Sequence, residues 1–547
     1  MNTDFNTKDV GGFIGLAQIN IIAGDIEYNT NKIIHYIEEA KNLNLDIIFF
    51  PLNALIGYDM QSFIMRYPFI LDECENALKK IANKCNNIST LIPYIDSNKQ
   101  QAYAIIKYGK IEKILHNCEY ISSKEFNDGV EFLIKPIATP SFAGNQYIRE
   151  NRLKNFAIKN KRSVVEINQV GAIDSISFAG QSCISDENGN IFSRAEDFKE
   201  QLLVINPFHK IGKLYSSEPT PLPESFSIDY EWDLERTYKS AVQGIRDYFT
   251  KCNLKRAVLG LSGGLDSTIC SVLLVEALGK DNVFGISMPS KLTSDESKTD
   301  AFELAKNLDI PFTEASIKSM YENTKNNLND LFENIEQKWD DRYKESFTSD
   351  NIQARSRAIY LWGVANEFSS CIPIATSDKS ELYMGYATIN GDMSGGFAPI
   401  ADITKTKLFA LAKWINKNTK FKNAIPESVI LKRPGAELAI DPNTGKTLCA
   451  EDALMPYEFL DEIIWRIENK NQNYQELLNA KFIYENKVKI SLNQKQEWIN
   501  KFFRKMSFAL YKSYIMPPYT IIDANTINKI LYSQPITSSR INYKISI

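Results

Sequence analysis

The chain has 547 residues, 44% of them apolar and 24% charged, with a net charge of −4. This length suits two or more domains, and the composition is that of an ordinary globular protein. The small negative charge excludes a nucleic-acid or membrane surface as the main partner, and no apolar run approaches the ~20 residues needed to span a bilayer.

The opening segment, MNTDFNTKDVGG, has neither a basic nor an apolar stretch, so no secretory signal is expected. Eight cysteines lack CxxC spacing, and His35, His116 and His209 are the histidines. Neither a zinc cluster nor a disulfide framework is expected, and the thiols read as those of a reduced, cytoplasmic protein.

In chain order, FIGLAQIN (13–20) reads as a buried strand and 29–43 as a helix with Ile33, Ile34, Ile37 and Ala40 on one face. DIIFFPL (46–52) is a short apolar strand, 68–84 a helix and STLIPYID (89–96) a strand. Residues 103–115 form a hairpin turning at Tyr108-Gly109. RLKNFAIKN leads as a helix into a strand at 162–171, and two strands flank the Asp-Glu-Asn-Gly turn at 186–189. This alternation predicts an α/β layered domain over 1–205. Residues 206–235, rich in proline, serine and aromatics, read as a linker.

A second α/β domain is expected over 236–547. YKSAVQGIRDYFTKC is an amphipathic helix, followed by strand RAVLGL, helix STICSVLLVEAL, strand NVFGISM, helix DESKTDAFELAKNL and strand PFTEASI. A charged helical stretch covers 318–345, then NIQARSRAIYLWGVANEF is a helix and CIPIAT a strand. Repeated β-α units of this length predict a parallel, doubly wound sheet, with a mostly helical part from about 406.

At the end of RAVLGL the chain runs through Gly260, Ser262, Gly263, Gly264, Asp266 and Ser267. The glycines permit positive φ and close approach of backbone N–H groups to an anion. The helix that follows points its positive end at the same place. Asp266 would repel a phosphate unless a cation lies between them, which points to Mg²⁺. The pattern is neither GxxxxGK[ST] nor GxGxxG.

SGGxDS resembles the pyrophosphate loop of the ATP pyrophosphatases, in which ATP is split to AMP and pyrophosphate and AMP activates a carboxylate or carbonyl. Residues 287–310, 351–358, 375–400, 403–412 and 432–438 are similar to successive blocks of the NAD synthetases. The resemblance implies that Ser262, Gly263, Gly264, Asp266 and Ser267 hold ATP phosphates, with Asp266 and Glu381 on Mg²⁺. It implies Thr376 on ATP, Lys405 on the phosphates, and Asn351, Glu381, Asp392 and Lys512 toward deamido-NAD. Asp266, Lys405 and Asp392 are the implied catalytic set. An acyl-adenylate brings a carboxylate against a polyanion, so cations have to screen the repulsion. Three departures stand out: Ser377-Asp378 where the family has Gly-Asn, Gly435 where a hydroxyl residue is usual, and Ala450 where an aspartate precedes Glu-Asp.

The first 205 residues resemble the nitrilase-like amidase domain of the glutamine-dependent NAD synthetases through GLAQIN, FPxxALxGY, INQVG and the DENGN turn. Such amidases use a Glu base, an oxyanion-stabilising Lys and a Cys nucleophile. Leu52 follows Phe-Pro where the glutamate belongs, Asn117 follows His116 where the lysine belongs, and FLIKPIATPSFAG (132–144) runs on without the cysteine. Cys118-Glu119 mimics the nucleophile dipeptide in the wrong loop. These residues predict a pseudo-amidase domain kept for assembly or for shaping an ammonia path.

The expected fold is a nitrilase-like α-β-β-α domain followed by a doubly wound, Rossmann-like ATP-pyrophosphatase domain. The expected activity is ATP-dependent amidation of deamido-NAD to NAD with ammonia, free or from a separate source, in a homodimer or larger homo-oligomer. Amidation of nicotinate mononucleotide needs the same adenylation chemistry and stays open, as does a non-catalytic nucleotide-binding scaffold. A tRNA-modifying pyrophosphatase is disfavoured by the acidic balance and the lack of CxxC.

Overall fold

The computed structural model describes residues 12–126, 131–227, 231–336, 339, 347–435 and 449–523. The chain divides into two compact units, Met1–Leu222 and Pro223–Ile547.

The first unit contains strands β1 (Ile14–Gln18), β2 (Ile47–Phe49), β3 (Ser89–Ile95), β4 (Gln101–Lys107), β5 (Lys110–His116), β6 (Ile121–Ser122) and β7 (Leu133–Ile137). These are followed by β8 (Val164–Asn168), β9 (Val170–Ile173), β10 (Ile176–Ala179), β11 (Cys183–Ser185), β12 (Ile191–Arg194) and β13 (Gln201–Ile205). One sheet has the order β13-β1-β2-β3-β4-β5, a second β12-β11-β8-β7-β6, and β9 pairs with β10. Period-2 alternation splits each strand between two cores. Ile14, Leu16, Ile47 and Phe49 of the first sheet meet Ile134, Val165, Ile167 and Ile184 of the second. The opposite face of the first sheet, with Ala17, Ile48, Ile92 and Ile106, lies under α1 (Ile26–Asn42) and α2 (Ile70–Ala82). Leu153 and Ala157 of α3 (Asn145–Asn160) cover Val164 and Cys183 of the second sheet. The result is the expected α-β-β-α sandwich.

Local chemistry explains the element ends. The Asp25 carboxylate accepts from the Tyr28 N–H, 2.9 Å, and caps α1. The β4–β5 hairpin turns on Tyr108 at φ 49° and Gly109 at φ 75°, as a two-residue loop with two left-handed positions requires. The segment 162–171, expected as one strand, breaks at Gln169. β8 stays in the second sheet, and the chain crosses so that the Val170 N–H donates to the carbonyl of Ile19. Residues 206–216, which the composition suggested as linker, are tied into the first unit through the bridges Asn206↔Ile211 and Arg194↔Leu214. At the other end of that stretch, a helix begins at Glu231.

The second unit opens with α4 (Glu231–Lys251), β14 (Arg256–Gly260), α5 (Leu265–Leu278), β15 (Val283–Ser287), α6 (Asp295–Leu308) and β16 (Phe312–Glu314). A helix over Lys318–Glu336 precedes α7 (Thr348–Glu367), β17 (Cys371–Pro373), α8 (Lys379–Tyr383) and α9 (Lys405–Asn418). The helical remainder includes α10 (Tyr457–Lys470) and α11 (Leu492–Ser513). The four strands are all parallel and ordered β16-β15-β14-β17. α5 is buried on nearly every side, from Leu265 through Val275, as its unbroken apolar sequence demands. The strand order reverses between β14 and β17, and ligands of such sheets bind beyond the carboxyl ends at that point. Both segments that follow these two strands carry the residues singled out in the sequence. No helix among the described residues is long and apolar enough to cross a membrane.

Candidate active site

Beyond β14 the chain makes a tight turn into α5. Gly263 has φ +73°, and a Cβ there would stand 2.1 Å from the carbonyl oxygen of Ser297, so both backbone angle and space demand glycine. A Cβ on Gly260 would meet Met288 Cε at 2.9 Å. Gly264 takes the cap position of α5 without a capping side chain, leaving that helix end open to an anion. Ser262 Oγ accepts from the Gly264 N–H at 3.2 Å and lies 3.1 Å from Ser267 Oγ. The Ser262 N–H donates to Ser267 Oγ, 3.3 Å, so the two serines brace the turn. Ser294 caps α6 by accepting from the Ser297 N–H, which brings a second helix start beside Gly263. Lys432 donates to Ser297 Oγ. This places the Lys-Arg-Pro block at the turn.

Beside the turn, four charged side chains meet. Lys405, the first residue of α9, places its ammonium 2.8 Å from both oxygens of Asp266. The same nitrogen lies 2.7 Å from Asp378 Oδ2 and 3.0 Å from Glu381 Oε1. Asp266 sits in the first turn of α5. Asp378 caps α8 through its Oδ1, which accepts from the Glu381 N–H at 2.9 Å. Lys405 is 2% exposed and Asp378 0%. Burial works against the Lys405 charge, but Asp266, Asp378 and Glu381 outweigh it and hold the ammonium well above its ordinary pKa. Burial pushes the Asp378 carboxyl up to about 6, with Lys405 opposing. It lifts Glu381 well above the usual carboxylate range. One oxygen from each of Asp266, Asp378 and Glu381 lies within 4.8 Å of the others. Three convergent carboxylates are a suitable hard-oxygen donor set for a divalent cation. In the sequence Asp378 stands out only as a departure from the family pattern; its partnership with Lys405 spans 27 positions and is visible only in the fold.

α8 is anchored from below. Ser380 Oγ donates to Asp461 Oδ1 at 2.6 Å and accepts from the Lys405 N–H at 2.9 Å. Asp461 Oδ2 accepts from the Thr406 N–H and hydroxyl, 2.8 and 2.6 Å. Lys379, fully buried, pairs with Glu468 at 2.7 Å and Asp402 at 3.1 Å. The Tyr383 hydroxyl donates to Glu468 Oε1, 2.8 Å. Asp402 Oδ2 accepts from the N–H groups of Ile522 and Asp523. Burial carries Glu468 up to about 8, although Lys379 pulls the other way.

A second group gathers on the loop after α8. Thr388 Oγ1 donates to Asn351 Oδ1, 2.8 Å, and the Thr388 N–H donates to Asp392 Oδ1, 2.7 Å. Asp392 Oδ2 accepts from Ser377 Oγ at 3.3 Å. The Lys512 ammonium donates to the carbonyls of Gly385 and Ala387, 2.8 and 2.6 Å, and burial lowers its pKa. Asn351, Asp392 and Lys512, grouped by the family resemblance though far apart in the sequence, converge on residues 385–392. Thr376 is half-buried two residues before Asp378. Gly435 is exposed, and the buried Ala450 donates its N–H to the carbonyl of Pro434. Residues 436–438 of the Lys-Arg-Pro block lie outside the described residues.

In the first unit, Leu52 follows β2, and its N–H donates to the carbonyl of Ile137 at the end of β7, 3.2 Å. Leu52 and Cys118 both pack against the apolar core between the sheets. Asn117 occupies a left-handed position after β5, φ 53°. Cys118 Sγ is 3.3 Å from the carbonyl of His116. Of the remaining cysteines, Cys252 is exposed, while Cys183 is buried in the cluster with Leu153, Ala157 and Val164. Cys183 pairs across the sheet with Glu166, near the bidentate pair Arg194–Glu150. Burial, with Glu150, drives its thiol pKa far upward, the opposite of what a nucleophile needs.

A family model for NAD synthase matches residues 237–506. The chain is 31% identical to the glutamine-dependent NAD(+) synthetase of Synechocystis sp., covering 89% of this chain and 94% of that protein. It is 31% identical to the enzyme of the same name from Aquifex aeolicus, covering 85% and 90%. Among solved structures, the glutamine-dependent NAD+ synthetase from Acinetobacter baumannii in complex with ADP superimposes with a TM-score of 0.67 at 25% identity, over 92% of this chain and 94% of that one. The enzyme from Cytophaga hutchinsonii gives 0.76 at 20% identity, over 96% and 98%, a likeness of fold.

Proposed function

Because the chain belongs to the NAD synthetase family, in its two-domain glutamine-dependent type, we propose that it converts deamido-NAD to NAD through an acyl-adenylate, with ammonia as the nitrogen donor. The observation that carries this reading is the cluster of Lys405, Asp266, Asp378 and Glu381 at the mouth of the Ser262–Ser267 turn. It joins an anion cradle to a cation-binding carboxylate set.

In this reading the N–H groups of the turn and the start of α5 receive ATP phosphates, and Thr376 lies toward the nucleotide. Asp266, Glu381 and Asp378 would hold Mg²⁺, which screens the phosphates against the incoming carboxylate. Asn351, Asp392 and Lys512 orient deamido-NAD through the 385–392 loop. The nicotinate carboxylate attacks the α-phosphorus and pyrophosphate departs. Ammonia then attacks the activated carbonyl, AMP leaves, and a proton is lost to give the amide. The Lys405 ammonium supplies positive charge where phosphate charge redistributes.

The first unit is proposed to lack glutaminase activity. Leu52 offers no proton acceptor, Asn117 no charge, and β7 ends at Ile137 followed by Ala138-Thr139 rather than a thiol. We take the first unit, to which residues 206–216 are tied, as the pseudo-amidase part and the second unit, with its helix from Glu231, as the synthetase, working as a homodimer or larger assembly.

The test uses purified protein with ATP, Mg²⁺ and deamido-NAD, and ammonium chloride or glutamine as sole nitrogen source. NAD from ammonium but not from glutamine is expected. NAD from glutamine would overturn the ammonia-only reading while leaving the synthetase intact. No NAD from either would overturn both.

A further inference from the structure

The Lys405 ammonium stands where a cation bound by the three carboxylates would stand. Its nitrogen is 2.8, 2.7 and 3.0 Å from Asp266, Asp378 and Glu381, while those carboxylates lie within 4.8 Å of one another. A divalent metal coordinated by the same oxygens sits about 2.0–2.6 Å from each, which leaves no room for an ammonium at that point. We infer that Lys405 and the divalent cation compete for one position, so that metal entry displaces the Lys405 ammonium toward the phosphate turn.

Three features support this exchange. The lysine backbone is fixed at the start of α9 by the bond from its N–H to Ser380 Oγ, so only the side chain has to move. Asp266 belongs to both the cluster and the first turn of α5, so the displaced ammonium stays beside the turn. The three carboxylates turn four oxygens toward an ammonium with three N–H groups, so the set offers more oxygen donors than Lys405 can satisfy. Lys405 pairs with buried Asp378, whose charge would be costly alone. In the loaded protein the metal takes over that task, and the lysine charge becomes available to phosphate. The location of the Lys405 ammonium thus reports whether metal is bound. The inference rests on the metal reading proposed above.

The exchange is tested by Mn²⁺ titration of the full-length protein without nucleotide, following free Mn²⁺ by electron paramagnetic resonance. Removing the competitor with Lys405→Met should tighten Mn²⁺ binding about tenfold or more, whereas Lys405→Arg, which keeps a cation in place, should bind no better than wild type. Lys405→Gln provides a second neutral variant, and circular dichroism confirms that each variant is folded. Unchanged or weaker Mn²⁺ binding in folded Lys405→Met and Lys405→Gln overturns the exchange while the metal reading stands. Mn²⁺ bound by neither wild type nor variants, with or without ATP, overturns the metal reading and the exchange with it.

Discussion

The N–H of Leu52 donates to the carbonyl of Ile137 across 3.2 Å, fastening the end of β2 to the end of β7. The two chain ends that should carry an amidase base and nucleophile are therefore brought together, but with an aliphatic side chain on one. Leu52→Glu is expected to leave glutamine unhydrolysed and to lower stability by about 1–3 kcal/mol, since the new carboxylate meets an apolar cluster. Urea unfolding measures the second effect and glutamate release the first. Hydrolysis by this single variant would show that a nucleophile and an oxyanion donor survive in the unit.

Gly263→Ala should remove nucleotide binding. The alanine would face a left-handed backbone angle and the Ser297 carbonyl at 2.1 Å, and the angle alone costs about 1–2 kcal/mol. α6 would have to retreat from the turn. Calorimetric ATP titration checks this, and wild-type affinity in the variant would mean that the turn does not hold the nucleotide.

Thr388→Val keeps the backbone bond to Asp392 but deletes the bond to Asn351. One hydrogen bond is worth about 0.5–1.5 kcal/mol, so KM for deamido-NAD should rise up to about tenfold, with KM for ATP little changed. A larger effect on ATP would move the 385–392 loop to the nucleotide side of the site.

Lys379→Met takes the cation from buried Asp402 and a hydrogen-bond donor from Glu468, and should destabilise the protein by about 3–5 kcal/mol. Chemical denaturation reads it directly. A variant as stable as wild type would show that the network is not an ionic one.

Glu468 gives stability a pH dependence. Burial raises its folded pKa from 4.5 to about 8, so between those values the folded state binds more protons than the unfolded state. Stability from this group is therefore full below about 4.5 and declines as pH rises toward 8. Glu468→Gln should flatten that decline in unfolding free energy measured from pH 5 to 8. An unchanged slope would assign the dependence to other groups.

Much of this was readable beforehand. DESKTDAFELAKNL becomes α6 with its ends where the sequence puts them, because Ser294 caps one and the apolar stripe stops at the other. The turn at Gly263 was readable because few residue types tolerate its geometry. β13, by contrast, lies just before the expected linker and has no strand neighbour nearby in sequence. Its partner is β1, nearly two hundred residues away, and pairing of that kind leaves no local pattern. Lys379 was equally silent. A lysine in a charged segment reads as solvated until Asp402 and Glu468, 23 and 89 positions on, close around it.

α8 has only five residues, yet its cap Asp378 and its Glu381 face Lys405 while Lys379 and Ser380 face Glu468, Asp402 and Asp461. Its footing comes from residues up to Asp523, whose N–H completes the hold on Asp402. A chain emerging from the ribosome would carry the phosphate turn long before it carried this footing. Folding of the second unit is therefore expected to be late and all-or-none, and truncation shortly before residue 522 should disable a site whose turn lies some 260 residues upstream.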